Sequence, residues 1–188
     1  RDYDQSASLP NSVLGTFNTP GEGRCGFTKK FVNSYLMADG TRFTDKPDYD
    51  KIEFVNEVSG RDPRLAQTIR TTKGLNFSNC ITGYQPHKYI VEANLNSSAA
   101  SYNDLPLFRM AEIYLNYAEA KAELGEITQG DLDISVNKIR ARAKMPDLNL
   151  GAANDSPDPY LSSAETGYAN VTGANKGVIL EIRRERTI

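Results

Sequence analysis

From Asp104 onward the apolar positions fall at helical spacing. Leu107, Ala111, Tyr114, Leu115, Ala118 and Ala122 recur every three or four residues, with Arg109, Glu112, Asn116, Glu119 and Glu123 on the complementary face. Pro106 sits where a first helical turn tolerates a missing N–H, and Gly125 is a natural C-terminal stop. After a short turn, Thr128 and Asp131 have capping-box spacing. Leu132, Val136, Ile139 and Ala143 then form a second stripe, closed by Met145-Pro146. So short a turn predicts an antiparallel helical hairpin, and the many alanines allow close approach of its two rods. Asp147 to Lys176 reads as a polar insert of thirty residues without structure of its own, a length usually functional or mobile. A third helix is predicted from Gly177, with Val178, Ile179 and Ile182 on one side and Glu181, Arg183, Arg184, Glu185 and Arg186 on the other. It ends at Ile188 without a cap and without an evident mate for its apolar side. The expectation is a piece of a larger protein, cut within a helix and poorly stable by itself.

Upstream the periodicity is weaker. Residues 1–27 read as loop, broken by Pro10, Pro20 and the run Gly21-Glu22-Gly23-Arg24-Cys25-Gly26. Thr28–Met37 is a predicted short helix capped by Thr28, ended by the Asp39-Gly40 turn. A further helix is expected over Tyr49–Val58, strands over Leu65–Thr72 and His87–Ala93, and a polar loop over Asn94–Asn103. The division is therefore 1–103, loop-rich with short helices and strands, and 104–188, hairpin, insert and third helix. Together they make one incomplete domain, mainly α, with large irregular loop regions and a few short strands.

Composition narrows the chemistry. Twenty-two basic against 24 acidic residues leave a net charge of −2, which argues against a nucleic-acid binder. The 39% of hydrophobic residues suffices for a core, and no apolar run approaches the ~18 residues of a membrane span. Cys25 and Cys80 are too few for a disulfide framework or a four-ligand zinc site, even with the single histidine, His87. They read as two half-buried thiols, with one disulfide as the alternative. No metal or cofactor is expected.

Gly21-x-Gly23-x-x-Gly26 matches the dinucleotide fingerprint in letters, but Phe17-Asn18-Thr19-Pro20 before it is no buried strand, so a flexible glycine loop is expected. Asp45, Asp48 and Asp50 lack the glycine and terminal glutamate of an EF-hand and read as a solvated loop, as do Asp155 and Asp158. No Gly-x-Ser-x-Gly elbow is present, His87 has no evident nucleophile beside it, and no carboxylate couple can be picked from 24 acids. Nothing positively indicates an enzyme. On the hairpin, Glu112 and Glu119 are expected to face Arg140 and Arg142 in structural ion pairs, with Asn137 hydrogen-bonding across. Tyr49, Tyr84, Tyr102, Tyr160 and Tyr168 lie in or beside loops. Such rings either stack on sugars, with Asn, Asp and Arg fixing the hydroxyls, or latch the loops onto the helices.

Taken together these segments resemble the SusD/RagB family, the surface nutrient-binding lipoproteins of Bacteroidetes. Asp104-Leu-Pro-Leu-Phe-Arg-Met-Ala-Glu-Ile-Tyr-Leu-Asn-Tyr-Ala-Glu-Ala120 is similar to the family's most recognisable helix. Val136-Asn-Lys-Ile-Arg-Ala-Arg-Ala143 with Met145-Pro146 resembles its partner, and Ile179-Leu-Glu-Ile-Arg-Arg-Glu-Arg186 the start of a Glu/Arg-rich helix. Tyr35–Gly40, Arg61-Asp-Pro-Arg-Leu65, Gly83-Tyr84 and Lys88-Tyr89 are weaker matches.

The resemblance implies tetratricopeptide-like helical pairs under a large irregular region, and no catalysis. It implies an outer-membrane, surface-exposed lipoprotein paired with a SusC-like TonB-dependent transporter, binding oligosaccharides or, in some branches, peptides. The lipidated cysteine would lie outside this sequence, since no apolar leader precedes Cys25. Family ligand sites lie in variable loops, so no contact residue transfers by position. The expectation is a non-catalytic glycan-capture subunit with contacts at Asn154, Tyr160, Tyr168 and Asn170, joined by Tyr84 and Tyr102. A peptide-binding member, a helical-repeat interaction scaffold and a hydrolase are the alternatives.

Overall fold

The computed structural model describes residues 25–72, 80–88 and 106–188. The chain forms two compact units, one of residues 1–32 with 64–107, the other of 33–63 with 108–188. Residues 33–63 thus group with the C-terminal helices rather than with the rest of the loop-rich segment.

The core of the second unit is built on α4 (Met110–Glu123), whose Leu115, Ala118 and Ala122 are buried. The helix starts later than the pattern suggests. Arg109 is extended (φ −132°, ψ 139°), so Pro106 and Leu107 precede the helix and Leu107 is exposed. Gly125 ends it in the left-handed region (φ 77°), with the Glu126 amide donating to the Lys121 carbonyl (2.9 Å) and the Gly125 amide to that of Ala122 (3.2 Å). That pairing is the Schellman motif, which glycine enters without a Cβ penalty.

The second rod of the hairpin is two helices, α5 (Gln129–Asp133) and α6 (Val136–Arg142). The expected capping box at Thr128 and Asp131 is present. The break at Ser135 has a local cause. Its hydroxyl donates to the Asp131 carbonyl (2.5 Å), the acceptor its amide would use in a continuous helix. α4 does contact α6, as the hairpin requires, although its more extensive partner is the last helix. Asn137 does not bond across the hairpin. Its amide clamps Leu148, accepting from the backbone N–H (2.7 Å) and donating to the carbonyl (3.2 Å). Gln129 treats the same stretch alike, donating to the Leu148 carbonyl (3.0 Å) and accepting from the Leu150 amide (2.8 Å).

These clamps open a segment that is ordered, contrary to the structureless insert expected for 147–176. It holds α7 (Leu150–Asp155), capped by Asn149, and α8 (Pro159–Ser162), capped by Asp158 with Pro159 in the first turn. Leu148, Ala153, Leu161 and Val171 join the core. The last helix, α9 (Lys176–Thr187), buries Val178, Ile179, Leu180 and Ile182 and packs on α4 and α7. Its apolar side therefore has the mate that the sequence did not reveal. α7 and α9 approach so closely that a Cβ on Gly177 would lie 1.8 Å from the Ala153 carbonyl oxygen.

Residues 33–63 are held by Arg61, which donates to the carbonyls of Tyr35 (2.7 Å), Glu57 (2.8 Å) and Leu36 (3.3 Å). The helix expected over Tyr49–Val58 is a 3-10 turn at Tyr49–Lys51 and α2 (Phe54–Glu57), separated by extended Ile52 and Glu53. In the first unit, Thr28 caps α1 (Lys29–Asn33), accepting from the Phe31 amide (3.2 Å). α1 stops at Asn33 rather than Met37, because Leu36 and Met37 enter bridges with Arg42 and Arg61. The first half of the predicted strand Leu65–Thr72 instead belongs to α3 (Pro63–Thr68), started by a proline in its first turn; of the rest Ile69 alone forms a bridge, with Pro86. His87 is not in a strand, and residues 89–93 of that expectation lie outside the described residues.

Both cysteines are thiols. Gly26 lies against the turn that carries Cys80; a Cβ there would sit 2.4 Å from the Cys80 sulfur and 2.0 Å from the Thr82 hydroxyl. Close packing accounts for this glycine, while Gly21 and Gly23 lie outside the described residues.

Two glycines test the packing. Gly177→Ala is expected to destabilise by about 1–3 kcal/mol, since the new methyl meets backbone. Gly130→Ala, also helical but with its nearest atom at 3.7 Å, is expected to stabilise by roughly 0.5–1 kcal/mol. Urea denaturation of both variants reads the difference in sign.

Candidate functional site

The charged side of α9 is largely buried. Arg184 is 2% exposed and Glu181 8%, and Glu185 is buried beside them. Arg140, on α6, donates from Nε to Glu185 Oε1 (2.7 Å) and from Nη2 to Glu181 Oε2 (2.9 Å). Arg184 donates to both oxygens of Glu181 (3.0 and 3.2 Å), to the Ser34 carbonyl (2.8 Å) and to the Asp158 carboxylate. Asp158 uses its other oxygen to accept from the amides of Tyr160 (2.7 Å) and Leu161 (3.3 Å), and Arg42 Nε lies 3.7 Å from its carboxylate. Burial pushes the Glu181 carboxyl up, but the charges and hydrogen bonds of Arg184 and Arg140 outweigh it and hold the group below its ordinary value. Burial likewise opposes the charge on Arg184, and Glu181 with Asp158 more than restores it.

The expected ion pairs are therefore redistributed. Glu119 pairs with Arg183 (2.9 Å) and Arg186 (2.8 Å), and Arg140 with Glu181 and Glu185, so each binds α9 rather than the other rod of the hairpin. Glu112 and Arg142 are exposed and form no ion pair among the described residues. The reason is geometric: α9 packs on α4, and charged residues on α4 and α6 both reach it.

Above this network stands a file of aromatic rings. Asp158 fixes the start of α8 and thereby the backbone of Tyr160. The Tyr160 ring meets Tyr49 edge to face, with centroids 6.1 Å apart, and Tyr49 meets buried Phe43 at 6.3 Å. Phe43 is in turn covered by the Arg61 guanidinium at 3.9 Å. Tyr49 and Tyr160 are both half-buried. Burial raises the Tyr160 phenol, with a hydrogen bond to Asn33 pulling the other way.

The remaining expected residues are dispersed. Tyr168 packs against the core, its hydroxyl 3.1 Å from that of Thr187 and its ring 5.2 Å from the Arg183 guanidinium. Asn154 accepts from the Val178 amide (2.9 Å) and donates to Asn175 (3.4 Å), tying α7 to the start of α9. Asn170 is exposed. Tyr84 is buried in the other unit, where its carbonyl accepts from the Phe27 amide (3.0 Å), and Tyr102 lies outside the described residues. Sequence reasoning brought neither Tyr49 to Tyr160 nor Arg184 to Asp158. The Asp158-Pro159 pair, a helix-start signature inside the polar insert, was the available signal.

Among the described residues no three His, Cys, Asp or Glu cluster closely enough to hold a metal ion, and no helix is long and apolar enough to cross a membrane.

Arg184→Ala leaves Glu181 and Asp158 without their shared buried partner and is expected to cost about 3–5 kcal/mol, against at most about 1 kcal/mol for exposed Arg186→Ala. The folded-state value of Glu181 lies below its unfolded one. Its contribution is thus complete above the ordinary carboxylate range and is lost as pH falls through the folded value. Urea midpoints measured from neutral to acidic pH should fall with that sign, less steeply in Glu181→Gln.

The SusD family model matches residues 1–79 and 71–188, which together cover the chain. A SusD-like carbohydrate-binding protein from Bacteroides fragilis, of known crystal structure, is similar with a TM-score of 0.58 and 26% identity over 85% of this chain and 31% of its own. A second SusD-like protein from Bacteroides fragilis has 26% identity and a TM-score of 0.47, over 86% of this chain and 32% of its own. The chain spans about a third of the length of these solved relatives. No curated protein matches it. Its mainly helical architecture with irregular connections is that of the first relative. On the span of that family match, the chain belongs to the SusD family.

Proposed function

We propose that this protein is a non-catalytic capture subunit, which binds oligosaccharide at the outer-membrane surface and delivers it to a SusC-like TonB-dependent transporter. Attachment to the membrane is through a lipid anchor outside these 188 residues. The observation that carries the reading is the likeness, at 26% identity, to a solved SusD-like protein described as carbohydrate-binding.

The contacts in this reading are half-buried Tyr160 and Tyr49, whose rings carry apolar surface suited to the face of a sugar, and exposed Asn170. Tyr168 and Asn154 are further contacts of this reading, each at a position fixed by α9. Calorimetric titration of the protein against oligosaccharides and peptides tests the reading. Heat is expected with at least one oligosaccharide, and Tyr160→Ala or Tyr49→Ala should weaken that binding roughly three- to ten-fold, the worth of one aromatic contact. Heat from peptides alone would move the assignment to a peptide-binding member, and new reducing ends would make the protein a hydrolase.

A further inference from the structure

The outward side of α4 carries a second apolar line, distinct from the one that faces the core. Met110, Ile113, Tyr117, Ala120 and Leu124, the last of these at the helix end, follow one another at intervals of three and four residues, and all five are exposed. Leu124 is 71% exposed, Met110 61% and Ile113 58%, and Phe108 just ahead of the helix is exposed as well. A single exposed apolar side chain is ordinary, but a continuous line of them marks an interaction surface.

Polar groups on both flanks of this line are engaged elsewhere. On one side Glu119 and Glu123 pair with Arg183 of α9 (2.9 and 3.0 Å), and Asn116 accepts from Arg186 (2.9 Å). On the other, the Tyr117 hydroxyl donates to the Asp131 carboxylate and Lys121 to Glu126 (3.3 Å). What α4 offers between them is apolar, and its spacing selects the occupant. A strict three-four repeat is the seam along which one helix packs on another, narrower than the stripe by which a helix lies on a mixed core. It receives a second helix inclined by about 20°, and Ala120 leaves room for close approach. From Met110 to Leu124 the seam runs about 21 Å, two heptads, where free-standing coiled coils take roughly three or four. So short a seam is weak between separate molecules. It suffices when the partner helix is tethered to the same chain, because linkage raises its effective concentration. The SusD-like relative has length to supply such a segment, since this chain covers only 31% of it.

We propose that Met110, Ile113, Tyr117, Ala120 and Leu124 form an intramolecular docking seam, occupied by an amphipathic helix of the same polypeptide lying outside these 188 residues. The seam stands whether or not the ligand is a glycan.

Met110 reports on the seam, and buried Met145 serves as the internal reference. The experiment treats the wild-type full-length polypeptide, without a transporter, with hydrogen peroxide, which passes one oxygen to an accessible thioether and leaves as water. Peptide mass spectrometry then reads the rate at each methionine. The expected result is that Met110 oxidises about ten-fold or more slowly than free methionine, as a covered side chain does, at a rate independent of protein concentration. A Met110 rate close to that of free methionine overturns the seam. Protection that grows with protein concentration overturns it too, and makes the occupant a second copy. The occupant is read directly by placing the photo-crosslinking residue benzoylphenylalanine at exposed Leu124. Irradiation should join one peptide outside the 188 residues whose apolar positions recur at three and four. A crosslink confined to these 188 residues, or to another molecule, overturns the proposal. Oxidation is read on unaltered protein, so it decides the matter even if the crosslinking variant does not fold.

Discussion

Arg184 is the residue on which the second unit depends. An arginine taken out of water is tolerated only when its charge is neutralised and its donors are satisfied. Here Glu181 and Asp158 supply the charge, and those carboxylates with the Ser34 carbonyl supply the acceptors. The three groups come from α9 itself, from the cap of α8 and from the segment after α1. A single guanidinium thus joins parts of the chain that are 150 residues apart. An apolar side chain of equal volume could fill the same space, but it could not discriminate among arrangements of those three segments. The network specifies which segment meets which, a role that buried ion pairs fill in other folds.

The helical hairpin was legible because its determinants are local. The box at Thr128 and Asp131 and the stop at Gly125 act within a few residues, so spacing alone reveals them. The alanine stripe of α4 was legible for the same reason, although its buried partner proved to be chiefly α9. What escaped is what distant residues decide. The polar insert is ordered by Gln129 and Asn137 reaching forward to Leu148 and by Asn154 reaching to Val178, contacts that no window of sequence contains. The burial of the charged side of α9 was not legible, because a pattern of Glu and Arg looks the same whether water or an opposite charge faces it. Leu65–Thr72 failed differently: weak alternation suggested a strand, and the proline at position 63 is the stronger signal.

The site was less legible than the fold. Loop tyrosines were identifiable as a class, yet their fates diverge with packing. Tyr160 gains Tyr49 as a neighbour, Tyr168 is taken up by α9, and Tyr84 is buried elsewhere. Family membership fixes the kind of protein, and the placement of individual rings then depends on which helix happens to lie beneath each of them.

Asp158 divides its two oxygens between tasks, one capping α8 and the other holding Arg184. The backbone under Tyr160 consequently cannot rearrange unless a buried charge is also uncovered. The freedom of that segment has been surrendered during folding, so a ligand captured there, as we propose, would give up its own conformational entropy and little of the protein's. On that proposal, rigidity at this position favours selection by shape rather than by adaptation.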